Sequence, residues 1–155
     1  MLKKVQKQRV RAGGGRFAIV ASRYNAQFVD TMLRAARAEL LLAGAQVQVV
    51  RVPGAYEIPV AAVRLARTRK FSAIVCLGVI LRGETTHAAH IGEAVSTALM
   101  NIQVVTEVPV VHEVLLLENR DQARVRCCDP KHNRGTEAAQ TALAMARVMA
   151  DLNGK

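Results

Sequence analysis

Apolar residues fall along the chain in two rhythms that alternate. Four short runs are apolar or β-branched: 17–22 (FAIVAS), 46–52 (QVQVVRV), 73–81 (AIVCLGVIL) and 109–117 (PVVHEVLLL). Runs of this length and composition predict strands. The third has no polar position, which predicts a central strand covered on both faces. Between the runs, apolar residues recur three and four apart, the spacing of one helical face. Val29, Met32, Leu33, Ala36 and Leu40 mark a helix over 27–43, stopped by Gly44. Ile91, Val95, Ala98, Leu99 and Ile102 mark one over 85–105, and Ala138, Ala142, Met145, Met149 and Leu152 one over 135–152. Pro53-Gly54 break the second strand, and a helix over 57–69 follows with Pro59 in its first turn, where proline is tolerated. A short helix over 119–126 and a connector over 127–133, broken by Pro130, complete the pattern.

Strands that alternate with helices predict an α/β fold with a parallel sheet between helical layers. Ligands in such sheets bind beyond the carboxyl ends of the strands. That rule singles out residues 23–25, 53–57, 82–87 and 112–113.

Composition sharpens this picture. A chain of 155 residues, 51% of them apolar, is long enough for one domain with a real core and too apolar to be disordered. Aromatics are only 3% and Trp is absent, so Ala, Val and Leu must fill the core, by close packing or with neighbouring subunits. The net charge of +10 is uneven: residues 1–16 carry Lys3, Lys4, Lys7, Arg9, Arg11 and Arg16 and no acid. A basic tail over 1–15, hinged at Gly13, Gly14 and Gly15, therefore precedes a domain over 16–155. Such a tail is either a solvated arm or one that touches RNA or another polyanion. No aromatic interleaves its charges, so base stacking has no support there. No apolar run has membrane-spanning length and no signal-peptide pattern follows the basic start, so a cytoplasmic protein is expected. Cys76, Cys127 and Cys128 are odd in number and lack CxxC spacing, against a disulfide framework or zinc knuckle.

The chemistry-bearing residues cluster at the strand ends. Arg82-Gly83-Glu84-Thr85-Thr86-His87 leads from the central strand into a helix. Gly83 admits a ligand close to the backbone, and Thr85 and Thr86 bring hydroxyls beside the free N–H groups of a first helical turn, an arrangement suited to phosphate. His87 either exchanges protons with a bound ligand or stands without a task at the helix start. Glu84, His87 and His90 have one-turn spacing, but with only the isolated His112 as a further ligand they are too few, and no metal is expected. Gly54 and Ala55 leave room over a tight turn, and Glu57 either accepts from polyol hydroxyls or caps its helix. Tyr24-Asn25 offer a flat ring and an amide at the same sheet edge. Arg126 and Arg134 flank the connector, and either suits a phosphate.

These segments resemble the lumazine synthase family. The resemblance is carried by RYN at 23–25, VPGAYEIP at 52–59, LGVILRGETTH at 77–87, and Gln122-Ala123 with Arg126 followed by Asn133-x-Gly135. They run in order over nearly the whole chain from Arg16, and the pairing of PGAYEIP with RGETTH is specific to that family. The resemblance implies a flavodoxin-like three-layer α/β/α sandwich with a four-stranded parallel sheet. It implies condensation of 5-amino-6-(ribitylamino)uracil with 3,4-dihydroxy-2-butanone 4-phosphate to 6,7-dimethyl-8-ribityllumazine, with loss of phosphate and water and without a cofactor. By the same resemblance His87 transfers protons, and Gly83, Glu84 and Thr85 hold the phosphate with Arg126 and Arg134. Tyr24 stacks on the pyrimidine beside Asn25. Gly54, Ala55, Tyr56 and Glu57 line the ribityl side, and Val79, Ile80 and Leu81 meet the uracil edge. The family's sites lie between adjacent subunits, so the resemblance implies a homo-pentamer or a pentamer-based shell, with His112, Glu113 and the Arg126–Arg134 connector supplied by the neighbour. Riboflavin synthase is a further implied partner; a membrane and nucleic acid are not.

Three positions depart from the family pattern. His112-Glu113 stand where it usually has Phe-Gly, Arg134 where it has lysine, and Cys127-Cys128-Asp129-Pro130 where it has a glycine-rich run. A buried Glu113 needs a partner, such as Arg23 or His112. The His112-Glu113 change also motivates an alternative reading: an assembly of the same fold that binds a flavin or pterin but turns over poorly.

Overall fold

The computed structural model describes residues 15–154. The expected basic tail lies almost wholly outside them. Four strands form one sheet: β1 (Arg16–Ser22), β2 (Gln46–Val52), β3 (Ala73–Leu81) and β4 (Val110–Leu117). The spatial order is β2-β1-β3-β4, and every pairing is parallel. Five helices connect and cover them: α1 (Ala26–Leu42), α2 (Ile58–Arg67), α3 (His87–Thr106), α4 (Arg120–Cys128) and α5 (Arg134–Leu152). A single 3₁₀ turn, Ala55–Glu57, leads into α2. This is the expected flavodoxin-like sandwich.

Alternation along each strand sends side chains to two cores. Phe17, Ile19, Val75 and Leu77 pack under α1 and α5, while Ala18, Val20, Ile74 and Cys76 pack under α2 and α3. The central strand is buried almost to its last residue, as its composition requires. Replacing fully buried Ile74 or Leu77 with Ala costs about 2–5 kcal/mol. β2 is one of the two edge strands and is the less buried, with Gln46 and Gln48 in solvent and Arg51 half-buried, which is why it carries polar residues.

Gly135 explains the Asn-x-Gly spacing. A Cβ at that position would overlap the Met32 carbonyl, because the first turn of α5 lies directly on α1. Asn133 caps that turn by accepting from the Gly135 N–H at 2.8 Å, and its amide donates to the Cys127 carbonyl at 2.8 Å. The end of α4 and the start of α5 are thereby tied together.

Two expectations need correction. Cys127 and Cys128 belong to α4, so the connector shrinks to 129–133. Cys127 is buried and anchors that last turn. The inner face of α5 is also shorter than its periodicity suggests. Ala138, Ala139, Ala142 and Leu143 are buried, but Met145 and Met149 are half-buried and Leu152 is 75% exposed. The helix overhangs the amino ends of the strands, where Met149 borders an open cavity with Phe71 and Pro109. Elsewhere, Val60 on α2 and Met100, Val104 and Val105 on α3 stand in solvent. No helix among the described residues is long and apolar enough to cross a membrane.

Candidate active site

A cleft of about 460 Å³ opens at the carboxyl ends of β1 and β3. Tyr24 and Asn25 form one side, Gly54 and Ala55 another, and Val79, Ile80 and Leu81 the floor. Gly83, Thr85, His87 and Ala88 close the α3 side, and Arg120 enters from α4.

Backbone hydrogen bonds set this geometry. The Arg23 N–H donates to the Val52 carbonyl at 2.8 Å, and the Tyr24 N–H to the Pro53 carbonyl at 3.0 Å, so the first two loops lie side by side. Asn25 adopts the left-handed region at φ 57°, which asparagine tolerates, and its carbonyl accepts the first helical bonds of α1 from the Phe28 and Val29 N–H groups at 3.0 and 3.1 Å. Its amide donates to the Val79 carbonyl at 2.8 Å, locking the turn onto β3. Arg51 reinforces the same end. It donates to the Ala21 and Ser22 carbonyls at 3.2 and 3.0 Å and pairs with Asp30 of α1 at 2.7 Å. The Tyr24 ring, 74% exposed, is thus a free flat surface on a fixed backbone.

The Gly54–Glu57 turn is also fixed. Glu57 Oε2 accepts from the Gly54 N–H at 2.9 Å, so the carboxylate holds its own turn. Glu57 and Tyr56 are exposed and lie outside the cleft lining. On the α3 side, the Arg82 N–H donates to the Leu117 carbonyl at 2.8 Å, and the Arg82 side chain pairs with Glu118 at 2.8 Å. Gly83 then has open space around its Cα, and Thr85 Oγ1 accepts from the His87 N–H at 3.4 Å. The start of α3 therefore brings to the cleft the Thr85 hydroxyl, the His87 imidazole and the Ala88 end of a first turn whose N–H groups lack full intrahelical pairing, a setting for an anion beside a proton carrier. Glu84 is exposed beside this loop.

His112 and Glu113 sit elsewhere. β4 continues to Leu117, so these residues lie mid-strand, opposite Cys76 and Leu77, and not at a carboxyl end. Being adjacent on a strand, they point to opposite faces. His112 turns toward α3: Nδ1 accepts from the Val114 N–H at 3.1 Å, which leaves the proton on Nε2, 2.7 Å from Ser96 Oγ. Burial lowers its pKa below the ordinary 6.5. Glu113 turns toward α5 and is 5% exposed. Its partner is Arg134, not Arg23 or His112: Oε1 accepts from Nε at 3.1 Å and Nη2 at 2.9 Å. Burial raises its carboxyl pKa, and the Arg134 charge and hydrogen bonds pull it back. Arg134 also holds Glu137 at 2.6 Å, so its guanidinium lies between two carboxylates. Arg126 lies near Glu113, and neither it nor Arg134 lines the cleft of its own chain.

The residue the sequence reading passed over is Arg120. The true carboxyl end of β4 leads through Asn119, whose side chain accepts from the Gln122 N–H at 2.9 Å and starts α4. The signal was already in the run over 109–117: the carboxyl-end rule applied at Leu117 selects 118–120, not 112–113. Burial pushes the Cys76 and Cys127 thiols up to about 12, which removes both as nucleophiles at neutral pH. Among the described residues, no three His, Cys, Asp or Glu side chains gather as a metal site.

The sequence relatives fit this geometry. The family described as 6,7-dimethyl-8-ribityllumazine synthase matches residues 14–150. A 6,7-dimethyl-8-ribityllumazine synthase of Stenotrophomonas maltophilia (strain R551-3) is 40% identical over 140 residues, covering 88% of this chain and 90% of its own length. One from Xanthomonas oryzae pv. oryzae (strain PXO99A) is 41% identical over 137 residues, covering 86% and 89%. With a match across the whole α/β domain and the cleft-forming segments in place, this chain belongs to the 6,7-dimethyl-8-ribityllumazine synthase family.

Proposed function

We propose that the chain condenses 5-amino-6-(ribitylamino)uracil with 3,4-dihydroxy-2-butanone 4-phosphate to give 6,7-dimethyl-8-ribityllumazine, a transferase reaction of riboflavin biosynthesis. The observation that carries this reading is the convergence of 23–25, 54–55 and 79–88 on one cleft in a chain of this family. The pyrimidine amine attacks the ketone and loses water to form an imine. Phosphate then leaves, and ring closure releases a second water. Such a sequence needs positioning and proton movement more than a strong nucleophile.

In this reading Tyr24 stacks on the pyrimidine beside Asn25. The backbone of Val79, Ile80 and Leu81 meets the uracil edge, and Gly54, Ala55, Tyr56 and Glu57 serve the ribityl chain. Gly83, Glu84 and Thr85 cradle the phosphate at the start of α3, and His87 moves the protons. Arg126 and the His112–Glu113 segment act in a neighbour's cleft, within a pentamer or a pentamer-based shell. Two observations support such association: these residues do not line their own cleft, and Val60, Met100, Val104 and Val105 leave apolar surface on the α2–α3 side. A cytoplasmic location, a domain over 16–155 behind a basic tail, and riboflavin synthase as a partner complete the reading. The test is lumazine formation by the purified protein, followed by absorbance, with each substrate omitted in turn. Native mass measured on the same sample reads the assembly. Product only with both substrates supports the reading, and none from an assembled protein overturns it.

A further inference from the structure

We infer that Arg120 is the cation each subunit contributes from its own chain to the phosphate of the phosphorylated ketone in its cleft, beside the arginine that the neighbour supplies. The inference rests on the reaction proposed above and adds to it a residue and a specificity.

Among the described residues, Arg120 is the one arginine or lysine lining the cleft, together with Gly83, Thr85 and His87. Its position is built. The guanidinium carbon stands 5.5 Å from the centroid of the Phe28 ring, and the Gln27 side-chain amide lies against the guanidinium, where its oxygen accepts from Nη1 and Nη2 once the amide is turned over. Asn119 caps the turn that carries it. These partners fix the group without neutralising it. The acids nearest in sequence are taken: Asp121 pairs with Arg124 at 3.1 Å and Glu118 with Arg82 at 2.8 Å. Arg120 makes no ion pair among the described residues. A fixed guanidinium without a carboxylate, beside a helix start with open N–H groups, presents a fork suited to a phosphate dianion.

The two arginines that flank the connector, Arg126 and Arg134, are placed differently. Arg134 is held between Glu113 and Glu137. Arg126 lies six residues along α4, about 9 Å further and roughly 240° around the helix axis. The two ends of α4 therefore address different places, and of the described arginines Arg120 is the one that lines the cleft of its own chain.

The test compares the whole protein with Arg120→Ala and Arg120→Lys, after circular dichroism and native mass confirm fold and assembly. Two readouts are taken: KM for each substrate, and binding of inorganic phosphate by titration calorimetry, which does not depend on turnover. Arg120→Ala is expected to raise KM for the phosphorylated ketone by about tenfold or more, to leave KM for the pyrimidine within about twofold, and to weaken phosphate binding in parallel. Arg120→Lys is expected to recover part of both losses. Equal KM changes for the two substrates, or phosphate binding unchanged by Arg120→Ala or absent from the wild type, overturn the inference. A wild type that binds phosphate through Arg120 but forms no lumazine overturns the proposed reaction and leaves the phosphate site standing.

Discussion

Glu113 and Arg134 form an ion pair beneath the first turn of α5, with one carboxylate oxygen taking two guanidinium N–H groups at 2.9 and 3.1 Å. Both residues are set apart in the sequence reading, and in the fold they meet each other. The acid side chain is 7% exposed and the arginine 29%. Removing one partner from such a pair costs more than the pair itself contributes, because it strands a buried charge. Arg134→Ala is therefore expected to destabilise the fold by about 3–5 kcal/mol in urea denaturation. Glu113→Ala should cost less, because Arg134 keeps Glu137. A larger loss for Glu113→Ala would contradict this account of the pair.

The same carboxyl sets a pH dependence. Burial holds its folded pKa above the ordinary 4.5, so the folded state binds more protons than the unfolded state. Stability then falls as pH rises from the unfolded value through the folded one. Glu113→Gln removes this slope. Chemical denaturation from pH 4 to 7 should show wild type losing stability relative to Glu113→Gln as pH rises. Parallel curves would contradict the assignment.

His112 behaves in the opposite sense. Its neutral form accepts from the Val114 N–H and reaches Ser96, whose hydroxyl donates to the Gly92 carbonyl at 2.7 Å. Protonation removes the acceptor. With its folded pKa held below 6.5, its contribution is complete above that pH and is lost as pH falls through the folded value. Nitrogen NMR of the ring should find the Nε2–H tautomer at neutral pH; an Nδ1–H signal would break the chain from Val114 to Gly92.

Gly135 tests the packing of α5 on α1. Gly135→Ala forces a methyl into the Met32 carbonyl and is expected to cost at least about 1–3 kcal/mol, read from the urea midpoint. An unchanged midpoint would show that α5 can move aside freely.

Much of this architecture was legible in the residues. The bounds of β2 and β3 follow from runs of Val, Ile and Leu closed by Pro53-Gly54 and Arg82-Gly83. The loops that form the cleft were legible for the same reason, since turn residues at strand ends are local signals. What stayed hidden depends on tertiary contact. Cys127 and Cys128 read as a connector until Cys127 is seen buried in the last turn of α4. Met149 and Leu152 continue a helical stripe that outruns the core it packs on. The partner of Glu113 could not be read either, because Arg134 is distant in sequence and comes close only when α5 crosses β4. Arg120 was missed because the carboxyl-end rule was applied at His112 and Glu113, which lie mid-strand, although the run itself ends at Leu117.

His87 carries the proposed proton transfer. His87→Ala is expected to lower the rate of lumazine formation by about 100-fold or more while native mass stays the same. A rate equal to wild type would remove His87 from the mechanism.

The central claim is that one cleft joins the two substrates with expulsion of phosphate. Its most direct test is to quantify lumazine and inorganic phosphate together during turnover by the purified protein. The account predicts equal amounts, appearing only when both substrates are present. Phosphate released without lumazine, or neither product from a correctly assembled protein, would contradict it.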